Sequence, residues 1–208
     1  MKQMTFVVDV DRCIGCKGCQ VACKMENTVA LGQGRNKVCT IGPNGVYPDL
    51  QMYFLPTMCQ QCENPACTGV CPTGACYKDE EGVIRIDQSL CIGCGSCQRA
   101  CPYGSIHMNR ELRVADKCTL CSTARSKGDT PACVRNCSGS ALYFGDVLDP
   151  ESQVSKLLKQ TDPKCIYHLR DFGNGPTVRY ILRQDDWVEV LPQDCVEHSV
   201  HRKGGSGA

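Results

Sequence analysis

The chain has 208 residues, of which 20 are cysteine, and its aromatic residues are few: 4 Phe, 7 Tyr and 1 Trp. A cysteine content near one in ten is typical of a cysteine-based framework, and this length allows one large domain or two small ones. Its 23 basic residues nearly balance 22 acidic ones, so charge gives no reason to propose nucleic acid or an anionic membrane surface as a partner. We see no apolar run near the roughly 18–20 residues that span a bilayer, and no signal core or twin-arginine pair at the start of the sequence.

Sixteen of the cysteines form four groups along the chain. The groups are Cys13, Cys16, Cys19 and Cys23; Cys59, Cys62, Cys67 and Cys71; Cys91, Cys94, Cys97 and Cys101; and Cys118, Cys121, Cys133 and Cys137. The first and third groups have the spacing C-x2-C-x2-C-x3-C, whereas the middle spacing lengthens to four residues in the second group and to eleven in the fourth. Pro72 and Pro102 follow the last cysteine of the second and third groups.

The elements before the second group are a strand, a helix and a loop. Residues 5–11 predict a strand that delivers the first group, and residues 20–26 predict one or two helical turns. Residues 28–56 are rich in glycine and proline and predict an excursion loop.

Residues 78–82 predict a turn, and Val83, Ile84 and Ile86 predict a strand that delivers the third group. A short helix is expected over residues 97–101. In the C-terminal part, Asp149-Pro150-Glu151 predicts a helix start, with Val154, Leu157 and Leu158 on its apolar side. Residues 166–169 and 177–182 predict strands joined by a turn at residues 173–176, and the tail at residues 201–208 is expected to be disordered.

Three cysteines at two-residue spacing can surround one compact inorganic core, as in bacterial iron–sulfur ferredoxins, where the fourth cysteine binds the other cluster. Gly15 and Gly93 inside these runs can take positive φ and bring backbone amides close to the sulfurs. Zinc sites use two separated cysteine pairs, disulfide frameworks suit small secreted domains, and a c-type haem needs C-x-x-C-H. The spacing therefore favours four [4Fe–4S] clusters, which move single electrons and leave no open coordination position for a substrate.

The order of the groups is nested. Groups two and three form a complete two-cluster unit, which is inserted between group one and group four. We therefore predict an α+β fold of two nested ferredoxin-like units with short strands and helices. The outer unit comprises residues 1–27 and 102–148, the inner unit residues 57–101, and residues 149–200 a C-terminal docking extension.

These four spacings, with phrases such as Lys117-Cys118-Thr119-Leu120-Cys121, resemble the iron–sulfur electron-transfer subunits of the dimethyl-sulfoxide reductase superfamily over roughly residues 5–150. Ser138 follows the fourth group where the family often has proline. The resemblance implies crossed ligand sets: Cys13, Cys16, Cys19 and Cys137 (cluster 1); Cys23, Cys118, Cys121 and Cys133 (cluster 2); Cys59, Cys62, Cys67 and Cys101 (cluster 3); and Cys71, Cys91, Cys94 and Cys97 (cluster 4).

The resemblance also implies a function and partners. The chain would be a non-catalytic subunit that serves a large molybdenum or tungsten bis-pterin catalytic subunit, with cluster 1 nearest to it. Cluster 4 would face a membrane quinone-linked subunit or a soluble donor. A free-standing polyferredoxin or hydrogenase-linked carrier is the alternative, and the compartment stays open between co-export with a partner and the cytoplasm.

Residues outside the ligand sets carry smaller predictions. Cys39, Cys76, Cys165 and Cys195 are expected to be buried free thiols. Trp187 is expected in the core or an interface. Four cations lie within or beside the runs, where they either raise cluster potentials or are solvated or paired at the surface: Lys17, Arg99, Lys117 and Arg135.

Overall fold

A computed structural model describes residues 2–183 of the chain. Its strands are β1 (Met4–Asp9), β2 (Asn36–Val46), β3 (Asp49–Met58), β4 (Cys76–Lys78), β5 (Ile84–Ile86), β6 (Ile106–Asn109), β7 (Val114–Lys117), β8 (Leu142–Asp146), β9 (Ile166–Tyr167) and β10 (Arg179–Ile181). The helices are α1 (Gly18–Asn27), α2 (Ala66–Gly69), α3 (Ser96–Ala100), α4 (Ser122–Arg125), α5 (Ala132–Arg135) and α6 (Gln153–Gln160). The presence of both strands and helices confirms the predicted mixed α and β architecture.

The largest sheet has the order β8-β1-β10-β9, in which β1 is antiparallel to β8 and parallel to β10. Because β1 lies inside the sheet, its side chains from Thr5 onward are buried on both faces. Phe6 and Val8 belong to the main core, and Val7 packs against Val154 on the other face. Both the N-terminal strand and a strand from near the end of the described chain therefore complete one sheet.

The C-terminal predictions are confirmed in outline and wrong in one detail. Residues 166–169 and 177–182 contain β9 and β10, and Val154 is buried on α6 as expected. However, α6 begins after Ser152, whose side chain caps it, rather than at Asp149-Pro150. Residues 153–181 contribute to the main sheet and its covering helix, so this part of the segment proposed for docking also belongs to the core. Trp187, Cys195 and the tail lie outside the described residues.

The excursion loop predicted over residues 28–56 is wrong for most of its length. Strands β2 and β3 form a long antiparallel hairpin, with Asn36 opposite Met58 and Val46 opposite Asp49. The pairing is irregular between Ile41 and Asn44, where the glycine- and proline-rich stretch lies. The base of the hairpin is buried in the core, whereas its tip is open to solvent.

The remaining strands form two small hairpins, β4–β5 and β6–β7. The predicted turn at residues 78–82 is present, and the Asp79 carboxylate accepts hydrogen bonds from the amides of Glu81 and Val83. Helix α1 packs against α5, and α2 packs against α3. Consequently the helices of the first and fourth cysteine groups meet, and so do those of the second and third.

Candidate iron–sulfur centres

The two equivalent C-I-G-C turns have the backbone geometry that the sequence predicts. Gly15 has φ +67° and Gly93 has φ +69°. Burial raises the pKa of Cys13, and the nearby amide of Gly15 partly opposes this. A Cβ at Gly15 would lie 2.7 Å from the Phe54 ring, and one at Gly93 would overlap the carbonyl of Arg113. Glycine is needed at both turns because the conformation and the close approach exclude a side chain.

Short helices position the cysteines that complete each run. Helix α1 carries Cys19 and Cys23, and both are buried. Cys67 and Cys133 lie on α2 and α5, which each begin directly after a proline. Proline is tolerated at a helix start because N–H groups there have no hydrogen-bond partner within the helix, so the absence of the proline N–H costs no hydrogen bond.

Sulfurs of the first and fourth cysteine groups lie near one another beside helices α1 and α5. Burial raises the pKa of Cys19 to about 11, and repulsion from Cys13, Cys137 and Cys16 adds to it. Such repulsion weakens with distance, so it indicates that Cys137 lies near the first cysteine group although it is more than a hundred residues away in the sequence.

A second set of sulfurs encloses a small cavity lined by Cys23, Cys118, Cys121 and Cys133. Burial raises the pKa of Cys118 to about 12 and that of Cys23 to about 11, and mutual repulsion among the thiols contributes. Four buried thiols around one enclosed space form a donor set that suits an iron–sulfur core, because iron replaces the thiol protons.

The inner groups show the same exchange of ligands. Burial raises the pKa of Cys62 to about 12, followed by repulsion from Cys59, Cys101 and Cys67. Burial raises the pKa of Cys97, and repulsion from Cys91 and Cys71 adds to this effect. Repulsion from Cys71 also acts to raise the pKa of Cys94, although hydrogen bonds hold it below its usual value. These contributions indicate that Cys101 lies near cysteines of the second run and that Cys71 lies near Cys94 and Cys97 of the third.

Further couplings connect neighbouring sets. Cys133 is repelled by Cys19, Cys118 by Cys59, and Cys97 by Cys67. In terms of the predicted clusters, these pairs link 1 to 2, 2 to 3 and 3 to 4. Electrostatic contacts of this kind therefore connect each predicted set to the next one in number.

Several groups around the sulfurs were not singled out from the sequence. Backbone amides of Cys76, Ala115 and Ala141 hydrogen-bond the sulfurs of Cys71, Cys91 and Cys137 at 3.4, 3.4 and 3.2 Å. A hydrogen bond with Cys76 favours the protonated Cys67 thiol and is the largest cause of the raised pKa of Cys67. Only the tertiary structure brings these groups to the sulfurs, so the spacing could not reveal them.

A polar network covers the second set. The Asn27 side-chain amide lies 3.7 Å from the sulfurs of Cys23 and Cys121. Arg35 donates to the Asn27 carbonyl oxygen at 2.9 Å and binds both carboxylate oxygens of Asp116. The ion pair therefore fixes the orientation in which Asn27 presents its N–H groups to the sulfurs.

The four unassigned cysteines differ from one another in burial, and so do the four cations near the ligand runs. Cys39 and Cys76 are buried as predicted, whereas Cys165 is only half-buried, so the prediction of burial was wrong for it. The remaining one, Cys195, lies outside the described residues. Of the four cations, Lys17, Arg99 and Arg135 are exposed, and Lys117 is fully buried.

Comparisons with known proteins identify the family of the chain. Residues 50–147 match the model of a 4Fe-4S dicluster domain, and residues 10–26 match that of a 4Fe-4S binding domain. The chain is 36% identical to a tetrathionate reductase subunit of Salmonella typhimurium, over 89% of this chain and 75% of that one. It is 39% identical to the thiosulfate reductase electron transfer subunit of Salmonella typhi, over 86% of this chain and 91% of that one.

A third relative is the arsenate respiratory reductase iron-sulfur subunit of Shewanella sp., with 32% identity over 86% of this chain and 96% of the relative. The chain belongs to the family of iron–sulfur electron-transfer subunits of the dimethyl-sulfoxide reductase superfamily. Its folded domains are of the [4Fe–4S] ferredoxin type, and this iron–sulfur subunit transfers electrons. Within residues 2–183, no helix is long and apolar enough to cross a membrane.

Proposed function

We propose that this iron–sulfur subunit holds four [4Fe–4S] clusters through the crossed cysteine sets given above. The observation that carries the proposal is the cavity that Cys23 of the first run shares with Cys118, Cys121 and Cys133 of the fourth, and the repulsion between cysteines of distant runs supports the other three sets. The packing of α1 on α5 and of α2 on α3 supports two nested units, because each helix pair belongs to one unit.

When bound, each cluster takes up and releases a single electron and exchanges no ligand with a substrate. The protein's part is to hold the sulfurs in series and to keep water from the central ones. Cys118 and Cys133 are buried, whereas Cys16 and Cys94 at the two ends are exposed. Electrons can therefore enter and leave at the ends, while the interior of the path is shielded.

The partner at one end is proposed to be a molybdenum or tungsten bis-pterin catalytic subunit. The relatives are named as subunits of tetrathionate, thiosulfate and arsenate reductases, so a catalytic subunit elsewhere in the complex is consistent with them. A membrane quinone-linked subunit or a soluble donor would serve the other end. The free-standing polyferredoxin is less well supported, because these relatives function within reductase complexes.

Iron analysis and one cysteine substitution test the ligand sets. The protein prepared without oxygen should contain about sixteen iron atoms, from four cubanes. Cys71→Ser should disturb the EPR signal of the cluster bound by the third run, and Cys39→Ser, at a buried thiol outside the sets, should leave all signals unchanged. Loss of the second-run signal alone in Cys71→Ser would refute the crossing. Zinc in place of iron would refute the whole proposal.

The orientation of the path is proposed from an asymmetry between its ends. Ile14 and Ile92, in the two C-I-G-C turns, are 61% and 66% exposed, so both ends offer an apolar contact. The turn with Ile14 also adjoins the long hairpin, because Gly15 lies against Phe54, whereas the nearest atoms around Gly93 in the other turn belong to Arg113 and Met108. A permanent interface is large and apolar, and the hairpin adds such surface at the cluster 1 end.

Hydrogen exchange of the free and complexed chain tests this orientation. Co-purification with a pterin-containing subunit comes first, and failure to find one would favour the free-standing carrier. In the complex, amides around Lys17, in the hairpin and in the described part of residues 138–183 should exchange more slowly. Protection confined to residues 76–105 would mean that the catalytic subunit binds the opposite end.

A further inference from the structure

Lys117 is a buried cation in the middle of the protein. The residue is 1% exposed, and its ammonium group donates hydrogen bonds to the carbonyl oxygens of Ile84 and Cys118, the latter at 2.8 Å. Within residues 2–183, no carboxylate lies within ion-pair distance of this ammonium group, and the carboxylate of Asp116 binds Arg35 and His107 instead. An ammonium group taken out of water without an opposite charge is strongly unfavourable.

The position of Lys117 is between the second and third sulfur sets. It is adjacent to Cys118 of the second set in sequence, and its ammonium group bridges the Cys118 carbonyl and the Ile84 carbonyl of β5, which belongs to the inner unit. In agreement with this position, its charge acts to lower the pKa values of both Cys118 and Cys67 of the third set. The side chain therefore lies where the outer and inner units meet.

We propose that Lys117 raises the reduction potentials of the two central clusters above the values they would otherwise have. The inference rests on the four clusters of the proposed function. A reduced cluster carries one more negative charge than an oxidised one, so a fixed positive charge nearby stabilises the product of electron uptake. Because its surroundings are dry, solvent screens this interaction far less than it screens the exposed Lys17, Arg99 and Arg135.

In return, the negatively charged clusters supply the counter-charge that the described protein lacks around Lys117. The chemical step is the uptake of one electron from the partner by an oxidised cluster, with no bond made or broken. The charge thereby makes transfer of an electron from an end cluster to either of the two central clusters more favourable.

Potentiometric titration followed by EPR tests the inference in the intact, iron-loaded chain. Lys117→Gln removes the charge and keeps a hydrogen-bond donor, and Lys117→Arg keeps the charge. Lys78→Gln is the matched control, because Lys78 also donates to carbonyl oxygens in a ligand run, those of Cys62 and Glu63, but is exposed. Iron content and the number of EPR signals are measured first, so that an absence of four clusters in the parent chain is detected separately as a failure of the proposed function.

We expect Lys117→Gln to lower the equilibrium constant for reduction of two clusters at least tenfold, which is about 59 mV for one electron. The potentials of the other two clusters should stay near the parent values. All four potentials should stay near the parent values in Lys78→Gln and in Lys117→Arg. Unchanged potentials in a fully loaded Lys117→Gln protein would overturn the inference, and so would an equal shift of all four clusters. If Lys117→Gln does not assemble, Lys117→Arg still decides: assembly with a large fall in the central potentials would also overturn it.

Discussion

The ion pair between Arg35 and Asp116 supports the second cluster site, and its removal has a predictable cost. Arg35 Nε and Nη2 lie 2.9 and 2.7 Å from the two carboxylate oxygens, and His107 Nε2 lies 3.1 Å away. The two side chains of the pair are only 11% and 10% exposed. Burial tends to raise the pKa of Asp116, but hydrogen bonds from His107 and Arg35 outweigh this and hold the pKa below its usual value.

Asp116→Asn should destabilise the protein strongly. The amide cannot neutralise Arg35, so a guanidinium would stay buried without its counter-charge, at a cost of about 3–5 kcal/mol. An exposed pair is worth far less, about 0–1 kcal/mol. The pair of Lys156 and Glu151 is of this kind, with the two side chains 54% and 83% exposed, so Glu151→Gln is the matched control.

The assay is the rate of loss of the visible iron–sulfur absorbance in denaturant, without oxygen. If the ion pair is already broken in the transition state for bleaching, the substitution destabilises the native state by about 3 kcal/mol and leaves the transition state unchanged. Asp116→Asn should then bleach roughly a hundredfold faster, because 1.4 kcal/mol is a factor of ten in rate. Glu151→Gln should bleach at the parent rate. Replacing both partners, in Arg35→Met with Asp116→Leu, should restore much of the loss, because no buried charge is left unpaired. An Asp116→Asn protein as stable as the parent chain would refute the reasoning.

Two further substitutions test local features. Gly93→Ala should weaken or abolish binding of the cluster held by the third run, because the new Cβ overlaps the Arg113 carbonyl. Gly69→Ala is the control, since open space surrounds Gly69, and it should not affect cluster binding. The intensities of the EPR signals distinguish the two variants. Ser152→Ala should lower the stability by about 1 kcal/mol in thermal unfolding, because the Ser152 hydroxyl caps α6 by accepting from the amide of Ser155, and an unchanged midpoint would contradict that role.

The local elements around the cysteines follow from short-range sequence signals. Gly15 and Gly93 have the positive φ that the C-I-G-C spacing predicts, and α1 and α3 cover residues 20–26 and 97–100. These features depend on neighbours within a few residues, so the sequence contains the information. The crossed sets are different, because they came from the family resemblance and depend on contacts between distant segments.

The hairpin at β2 and β3 shows why composition misled the prediction. Gly42-Pro43-Asn44-Gly45 is part of the glycine- and proline-rich stretch that predicts a loop, yet the strand pairing resumes after the irregularity. Strand propensity depends strongly on the partner strand and on burial. Tyr53 and Leu55 supply that burial at the base of the hairpin, and their position in the core is a tertiary property.

Lys117 and Lys17 show the same limit at the candidate site. Both lie next to a ligand cysteine, so the sequence places them in one class with Arg99 and Arg135. The structure separates them: Lys17 lies in an exposed turn before α1, whereas Lys117 lies on β7, paired opposite Ile106 and capped by the Ile84 carbonyl of β5. A buried ammonium with only carbonyl partners is unfavourable in an iron-free chain and favourable between two negatively charged clusters. The burial of this lysine therefore ties folding of the junction between the units to the presence of the bound iron–sulfur clusters, and the same charge favours electron entry there.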